Sequence, residues 1–129
     1  MNKMPDKNIK IKIDVKLNKD ELEKLKEGHS PTGMSDHWGM KYENRKCYMY
    51  RSWTRNCIYI VDIPEDGYIT HAIVNNDESQ HEFYEMVDRY QVEHLLYCYA
   101  DRFEDATKAL EKSMEYFREV LIKRKNDKK

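Results

Sequence analysis

Glycine is scarce in this chain and its cysteines form no motif pair, and each of these observations excludes a class of protein. Its 129 residues include only four glycines, spread too widely to form the glycine-rich loop that cradles phosphate groups. A standard nucleotide cradle is therefore excluded. The three cysteines are an odd number and include no Cys-x-x-Cys pair, which predicts reduced thiols in a cytosolic protein rather than a disulfide framework.

The chain also lacks an excess of charge and a long hydrophobic run. Charged residues make up 36% of the sequence, yet the net charge is only -1, so no overall basic field is available to hold duplex nucleic acid. No window of about 18 apolar residues occurs, and the N-terminus has no apolar signal segment. We therefore expect a soluble, cytoplasmic protein with neither duplex nucleic acid nor a membrane as its partner.

Hydrophobic alternation predicts five strands, the clearest of them over the run IKIKIDVKL. The lysine-rich outer face of that first strand is typical of a sheet edge. The fourth strand has apolar residues on both faces, which is typical of a central strand. The predicted strands cover residues 9–17, 37–43, 47–51, 57–63 and 68–75.

The remaining patterns predict helices at three places. Asn18 and Glu21 form a capping box for a short helix over 19–27. Three- and four-residue spacing of apolar residues predicts helices over 79–100, with a break near Asp88, and over 104–124. The fold class is therefore α+β, a four- to five-stranded, mainly antiparallel meander sheet packed by C-terminal helices. We expect one domain over 8–124, a flexible segment over 1–7 and a flexible tail over 125–129.

The last predicted helix carries an apolar stripe of Ala106, Leu110, Met114, Phe117 and Leu121, and the last four are predicted to lie on one buried face. Such a stripe is most often buried against the sheet of its own chain. The alternative is a homo-oligomer that forms through the C-terminal helices.

The candidate functional site is the polar connection between the third and fourth strands, residues 51–56. A tryptophan among arginines, hydroxyls and an amide makes a corner suited to a ligand with a flat ring and an anion. The alternative is that the tryptophan only plugs the end of the core, while Arg51 bridges Asp36 or Asp77 to fix the loops. The polar connection consists of Arg51, Ser52, Trp53, Thr54, Arg55 and Asn56.

Two groups of cysteine and histidine residues are weaker candidates for a functional site. Cys57 with His71 or His37 could form a thiolate–imidazole pair across neighbouring strands, but buried thiols are inert. His94 and Cys98 are spaced for one helix face, yet no second pair completes a four-ligand set, so neither a metal nor another cofactor is expected.

The stretches MSDHW (34–38), YRSWTRNCIY (50–59) and DGYITHAIVNND (66–77) resemble a small bacterial domain with an R-S-W-T-G-x-C-I-Y motif. That domain has no established activity and is sometimes found beside proteins of ADP-ribose or nucleotide metabolism. Arg55 stands where the motif has glycine. The resemblance adds further residues to the candidate binding site, namely Asp36, Trp38, Tyr59, Asn75 and Asp77.

Two classes of function follow from these patterns. The first is a non-enzymatic domain that binds, and could sequester, a nucleotide-like signal such as an ADP-ribose derivative. Trp53 or Trp38 would stack on the base, Arg51 and Arg55 would hold phosphate oxygens, and Ser52, Thr54 and Asn56 would make the remaining hydrogen bonds. The second is a protein–protein interaction module without a small ligand. A hydrolase of nucleotide derivatives is a third hypothesis.

Overall fold

Five strands and three helices build the α+β fold in the computed structural model, which describes residues 1–33 and 35–127. All five predicted strands are present, within two residues of their predicted bounds. In chain order the elements are β1 (Asn8–Lys16), α1 (Lys19–Leu25), β2 (Trp38–Glu43), β3 (Lys46–Arg51), β4 (Cys57–Asp62), β5 (Tyr68–Asn75), α2 (Glu85–Tyr99) and α3 (Phe103–Asp127).

The strands form one antiparallel sheet in the order β1-β5-β4-β3-β2. The prediction of β1 as an edge strand and β4 as a central strand is confirmed. The first three residues of β4 are all buried, because this strand has neighbours on both sides and apolar residues on both faces.

Two of the three hairpin connections, those from β2 to β3 and from β4 to β5, are tight turns. Asn44 and Arg45, with φ of 50° and 62°, join β2 to β3 in a two-residue turn of the kind that suits twisted strands. The turn after β4 closes with a bond from Gly67 N to the Pro64 carbonyl oxygen, at 3.0 Å. Gly67 has φ of 77°, and a Cβ there would lie 2.0 Å from the carbonyl oxygen of Leu17. Only glycine fits this position without strain.

Helix α2 covers one face of the sheet and packs mainly on β1. An irregularity in the β1–β5 register between Lys12 and Val15 frees the backbone N–H of Asp14 from the ladder. That N–H donates to the carboxylate of Glu93 on α2, at 3.0 Å. Arg89 donates to the same carboxylate at 3.3 Å. A buried acid on the helix thus satisfies a donor that the sheet leaves free.

The start of α2 differs from its prediction. The helix begins at Glu85 rather than at residue 79, and it passes through Asp88 without a break. The reason is that the Asp88 carboxylate accepts the backbone N–H of Tyr84, at 2.9 Å, which caps the helix there. Asn75 and Asp77 order the chain before it, since Asp77 N donates to the side-chain oxygen of Asn75 at 2.8 Å.

Helix α3 lies on α2, and the prediction of its buried stripe is wrong. The buried residues of α3 are the small ones, Ala106, Ala109 and Ser113, which allow a close approach to α2. Three of the four predicted stripe residues are instead exposed, Met114, Phe117 and Leu121.

The structure also describes the N-terminal segment and the end of the last helix. Asn2 is anchored by its backbone N–H, which donates to the carbonyl oxygen of Arg55 at 2.7 Å. Helix α3 continues to Asp127, three residues beyond its predicted end, and residues 128 and 129 of the predicted tail lie outside the described part of the chain. None of the helices in the described ranges is long and apolar enough to cross a membrane.

Candidate functional site

The polar connection forms a tight loop between β3 and β4. Arg51 N donates to the carbonyl oxygen of Asn56 at 3.1 Å, and Arg55 N donates to the carbonyl oxygen of Arg51 at 2.9 Å. Ser52 N reaches outside the loop to the carbonyl oxygen of His37, at 3.0 Å. These bonds hold the loop against the segment that precedes β2, so its side chains project from a fixed backbone.

Arg55 occupies the one position of the loop with a left-handed backbone. Its φ is 63°. This conformation raises the free energy of a residue that has a Cβ, whereas glycine adopts it readily. The motif of the resembled domain has glycine here. An arginine at this position adds a cation to the loop while the backbone keeps a conformation that glycine adopts readily. The Arg55 guanidinium lies over the ring of Tyr50, with 4.8 Å between its carbon and the ring centroid.

The two tryptophans have different roles. Trp53 is 69% exposed, so the alternative that it plugs the end of the core is wrong. Trp38 takes that place, since its ring stacks on the buried ring of Tyr59 with centroids 5.5 Å apart. An indole with most of its surface in water is unusual for so large a side chain.

Arg51 lies on the side of the loop that faces the core. Its guanidinium carbon is 4.7 Å from the centroid of the Trp38 ring. The alternative of a bridge to Asp36 or Asp77 finds no support, because both carboxylates have other partners. Asp36 contacts His29 at 2.6 Å, and Asp77 accepts the Ser79 hydroxyl at 2.7 Å.

A shallow groove opens beside Trp53. It has a volume of about 560 Å³ and is walled on one side by the polar connection and on the other by the segment before β2. The hydroxyl of Ser52 is buried at this place and has no hydrogen-bond partner among the described residues. A buried hydroxyl without a partner is costly in the folded state. The groove is lined by Pro31, Thr32, Gly33, Ser52, Trp53 and Arg55.

Asp36 holds the opposite wall of the groove in place. Its carboxylate accepts the backbone N–H of Thr32, at 3.1 Å, as well as contacting His29. Burial alone would raise the pKa of Asp36, but the hydrogen bonds from His29 and Thr32 outweigh it and hold that pKa below its usual value. Asp36 is therefore a supporting residue rather than part of the groove surface.

The other predicted site residues lie outside the groove. Asn75 donates to the carbonyl oxygen of Cys57 at 3.0 Å and orders the chain after β5, together with Asp77. Asn56 accepts from the side chain of Asn2 at 2.9 Å, and Thr54 accepts from the Asn56 backbone N–H at 3.2 Å. The structure thus brings Ser52, Trp53 and Arg55 together and leaves the rest of the predicted set in structural roles.

A buried polar array lies under the start of α2, and no sequence pattern indicated it. The Tyr59 hydroxyl donates to Asp88 at 2.5 Å, and His81 contacts the same carboxylate oxygen at 2.8 Å. Burial, the charge of Asp88 and the bond to it raise the pKa of Tyr59 well above its usual value, so this hydroxyl stays protonated. Together with the Tyr84 N–H, these donors fix α2 on the sheet.

The two predicted cysteine–histidine pairs have little chemical reactivity. Burial raises the pKa of Cys57 to about 11, which leaves the thiol protonated and unreactive at neutral pH. His71 is exposed and contacts the neighbouring Thr70, at 2.8 Å. On α2 the Cys98 sulfur lies 3.6 Å from Nε2 of His94, and within residues 1–33 and 35–127 no third His, Cys, Asp or Glu joins them to form a metal site.

Comparison with known proteins found no match. No protein-family model, no curated protein sequence and no solved structure matches this chain.

Proposed function

We propose that the groove beside the polar connection binds a small ligand that combines a flat ring with an anionic group, of the nucleotide type. An ADP-ribose derivative is the ligand that the sequence resemblance implies. The observation that carries the proposal is the exposed indole of Trp53 beside the guanidinium of Arg55 in the lining of one groove. These two groups supply stacking and charge at one place.

Each group has a definite task in this proposal. Trp53 offers a large rigid face on which a base can stack, as aromatic side chains do with single bases. Arg55 offers a planar fork of donors that matches two phosphate oxygens.

The two arginines of the loop are distinguished by their positions. Arg55 lines the groove, whereas Arg51 lies over Trp38 on the inner side of the loop. We infer that Arg55 is the main phosphate anchor and that Arg51 supports the loop through Trp38. A site made of stacking and charge supports the role of a binding domain, which would sequester its ligand without changing it.

The test is a series of binding measurements by calorimetry and by intrinsic tryptophan fluorescence, to which Trp38 and Trp53 both contribute. The probes are ADP-ribose, ADP, adenosine and inorganic phosphate, since this set separates the ring from the phosphate. Trp53→Ala should remove binding of adenosine and weaken that of ADP-ribose. Arg55→Gly should weaken binding of ADP-ribose by about 1.5–3 kcal/mol, as for hydrogen bonds to a charged group, and Arg55→Lys should fall between it and the wild type.

Arg55→Gly is the sharpest variant because it removes the cation and leaves the backbone in a conformation that glycine favours. Its melting temperature should equal or exceed that of the wild type, so lost affinity could not be blamed on unfolding. Arg51→Ala is the matched control and should weaken binding less than Arg55→Gly. The proposal fails if none of the probes changes the fluorescence or the heat, or if Trp53→Ala and Arg55→Gly bind them as well as the wild type.

The same mixtures separate binding from catalysis. ADP-ribose is incubated with the protein, released by heat and identified. Ligand that returns intact supports a binding domain, and ligand that returns cleaved supports the hydrolase hypothesis.

A further inference from the structure

Helix α3 exposes a cluster of large apolar side chains that its own chain does not cover. Met114, Leu121 and Ile122 are 54%, 47% and 55% exposed, and Phe117 is also exposed. Met114, Phe117 and Leu121 lie next to the small residues that pack on α2 and border the contact between the two helices, whereas helical spacing puts Ile122 on the flank away from α2. In a chain with 36% charged residues, so many neighbouring exposed apolar side chains indicate an interaction surface.

The exposed cluster forms one wall of a groove between α2 and α3. The groove has a volume of about 380 Å³. Val87 and Gln91 of α2 line one side, and Leu110, Met114, Phe117 and Leu121 of α3 line the other. The Ser113 hydroxyl closes its floor by donating to the carbonyl oxygen of Val87, at 2.9 Å. A groove of this form between two antiparallel helices is suited to the apolar stripe of a further helix.

The spacing of the stripe is that of a helix-pairing seam. Leu110, Met114, Phe117 and Leu121 follow one another at steps of four, three and four residues. Helical spacing places Glu111 and Arg118 beside the stripe, one heptad apart, and the Arg118 side chain also lines the groove. Neither of these two forms an ion pair with any of the described residues.

The stripe and its flanking charges on one copy of α3 are complementary to those on a second copy that runs antiparallel to it. With two copies of α3 antiparallel about an axis between Met114 and Phe117, Met114 of each copy meets Phe117 of the other. Leu110 then meets Leu121, and Glu111 of each copy lies opposite Arg118 of the other. In such a two-fold interface the Glu111–Arg118 ion pair therefore forms twice.

We propose that a second copy of this chain occupies the groove, with the two α3 helices antiparallel and Glu111 paired with Arg118 across the two-fold axis. The two copies of α2 flank the pair, so the dimer contains a four-helix layer between two sheets. The occupant is a second copy because its apolar spacing and its charges both fit this register. The ligand groove beside Trp53 is built from other elements, so the dimer does not depend on the proposed ligand.

The test is sedimentation velocity over a series of protein concentrations, with charge variants of the full chain. The wild type should dimerise as concentration rises. Glu111→Arg and Arg118→Glu should each weaken dimerisation by about tenfold or more, because two attractive pairs become two repulsive ones. Mixing these two variants should restore dimers to the wild-type level, since every flanking pair in the mixed dimer is again of opposite sign.

Glu119→Arg is the matched control, because it makes the same charge change on another face of α3 and should leave dimerisation unchanged. Met114→Glu combined with Phe117→Glu should give a folded monomer, since both side chains are exposed within one chain. A wild type that stays monomeric throughout would overturn the proposal. So would single charge variants that dimerise like the wild type, or a mixture that does not recover.

Discussion

Replacing Tyr59 with phenylalanine removes one hydroxyl from the centre of the protein without opening a cavity. That hydroxyl is one of three donors to the buried carboxylate of Asp88, beside His81 and the Tyr84 N–H. A hydrogen bond to a charged group contributes about 1.5–3 kcal/mol, so Tyr59→Phe should lower the free energy of unfolding by about 2 kcal/mol. With an unfolding entropy of about 2.1 cal/mol/K per residue, that loss lowers the melting temperature of a 129-residue domain by about 7 °C.

The matched control is Tyr99→Phe. The Tyr99 hydroxyl is buried but has no hydrogen-bond partner among the described residues. Removing it should cost nothing and could add about 1 kcal/mol, because an unsatisfied buried hydroxyl destabilises the folded state. Urea unfolding of both variants, followed by circular dichroism, gives the two free energies. A Tyr59→Phe variant as stable as the wild type, or a Tyr99→Phe variant that loses as much as Tyr59→Phe, would refute the importance of the buried array.

Two further predictions concern backbone strain and a buried acid. Gly67→Ala should lower the free energy of unfolding by about 2 kcal/mol or more. The left-handed backbone disfavours a Cβ, and that atom would clash with the carbonyl oxygen of Leu17. A melting temperature equal to that of the wild type would contradict this prediction. Burial raises the pKa of Glu93, against the bonds from Asp14 and Arg89 that favour its charged form. Since the folded-state pKa lies above the unfolded one, the stability linked to this proton is present below the unfolded pKa and is lost as the pH rises through the folded pKa. Glu93→Gln should therefore gain stability relative to the wild type as the pH rises from about 4 to about 7, and a difference that stays constant across paired melts would contradict the raised pKa.

The local sequence determined the strands and the first helix. Hydrophobic alternation has a period of two residues in any strand with one covered face, so it could be read without knowledge of the partners. The capping box of α1 is equally local, since Asn18 accepts from Glu21 N and Glu21 accepts from Asn18 N, both at 2.9 Å. The scarcity of glycine likewise excludes a phosphate loop on composition alone, because such a loop needs several glycines close together.

The tertiary structure decided which apolar surfaces are covered. The periodicity of α3 showed where its stripe lies but not what lies against it, and Ala106, Ala109 and Ser113 proved to be the contact with α2 because small side chains let two helices approach closely. The start of α2 depended in the same way on Asp88, whose partners are Tyr59 on β4 and His81 and Tyr84 in the segment just before the helix.

The sequence likewise revealed one part of the candidate site, and the tertiary structure decided the other. The polar connection was visible in the sequence, because a tryptophan among arginines and hydroxyls stands out locally. Which tryptophan is exposed depended on Tyr59, whose ring takes the stacking face of Trp38 and leaves Trp53 in water. The opposite wall, Pro31 to Gly33, lies near Trp53 only because the chain folds back before β2. Contacts between residues distant in sequence follow from the packing of whole elements, and local periodicity does not encode them.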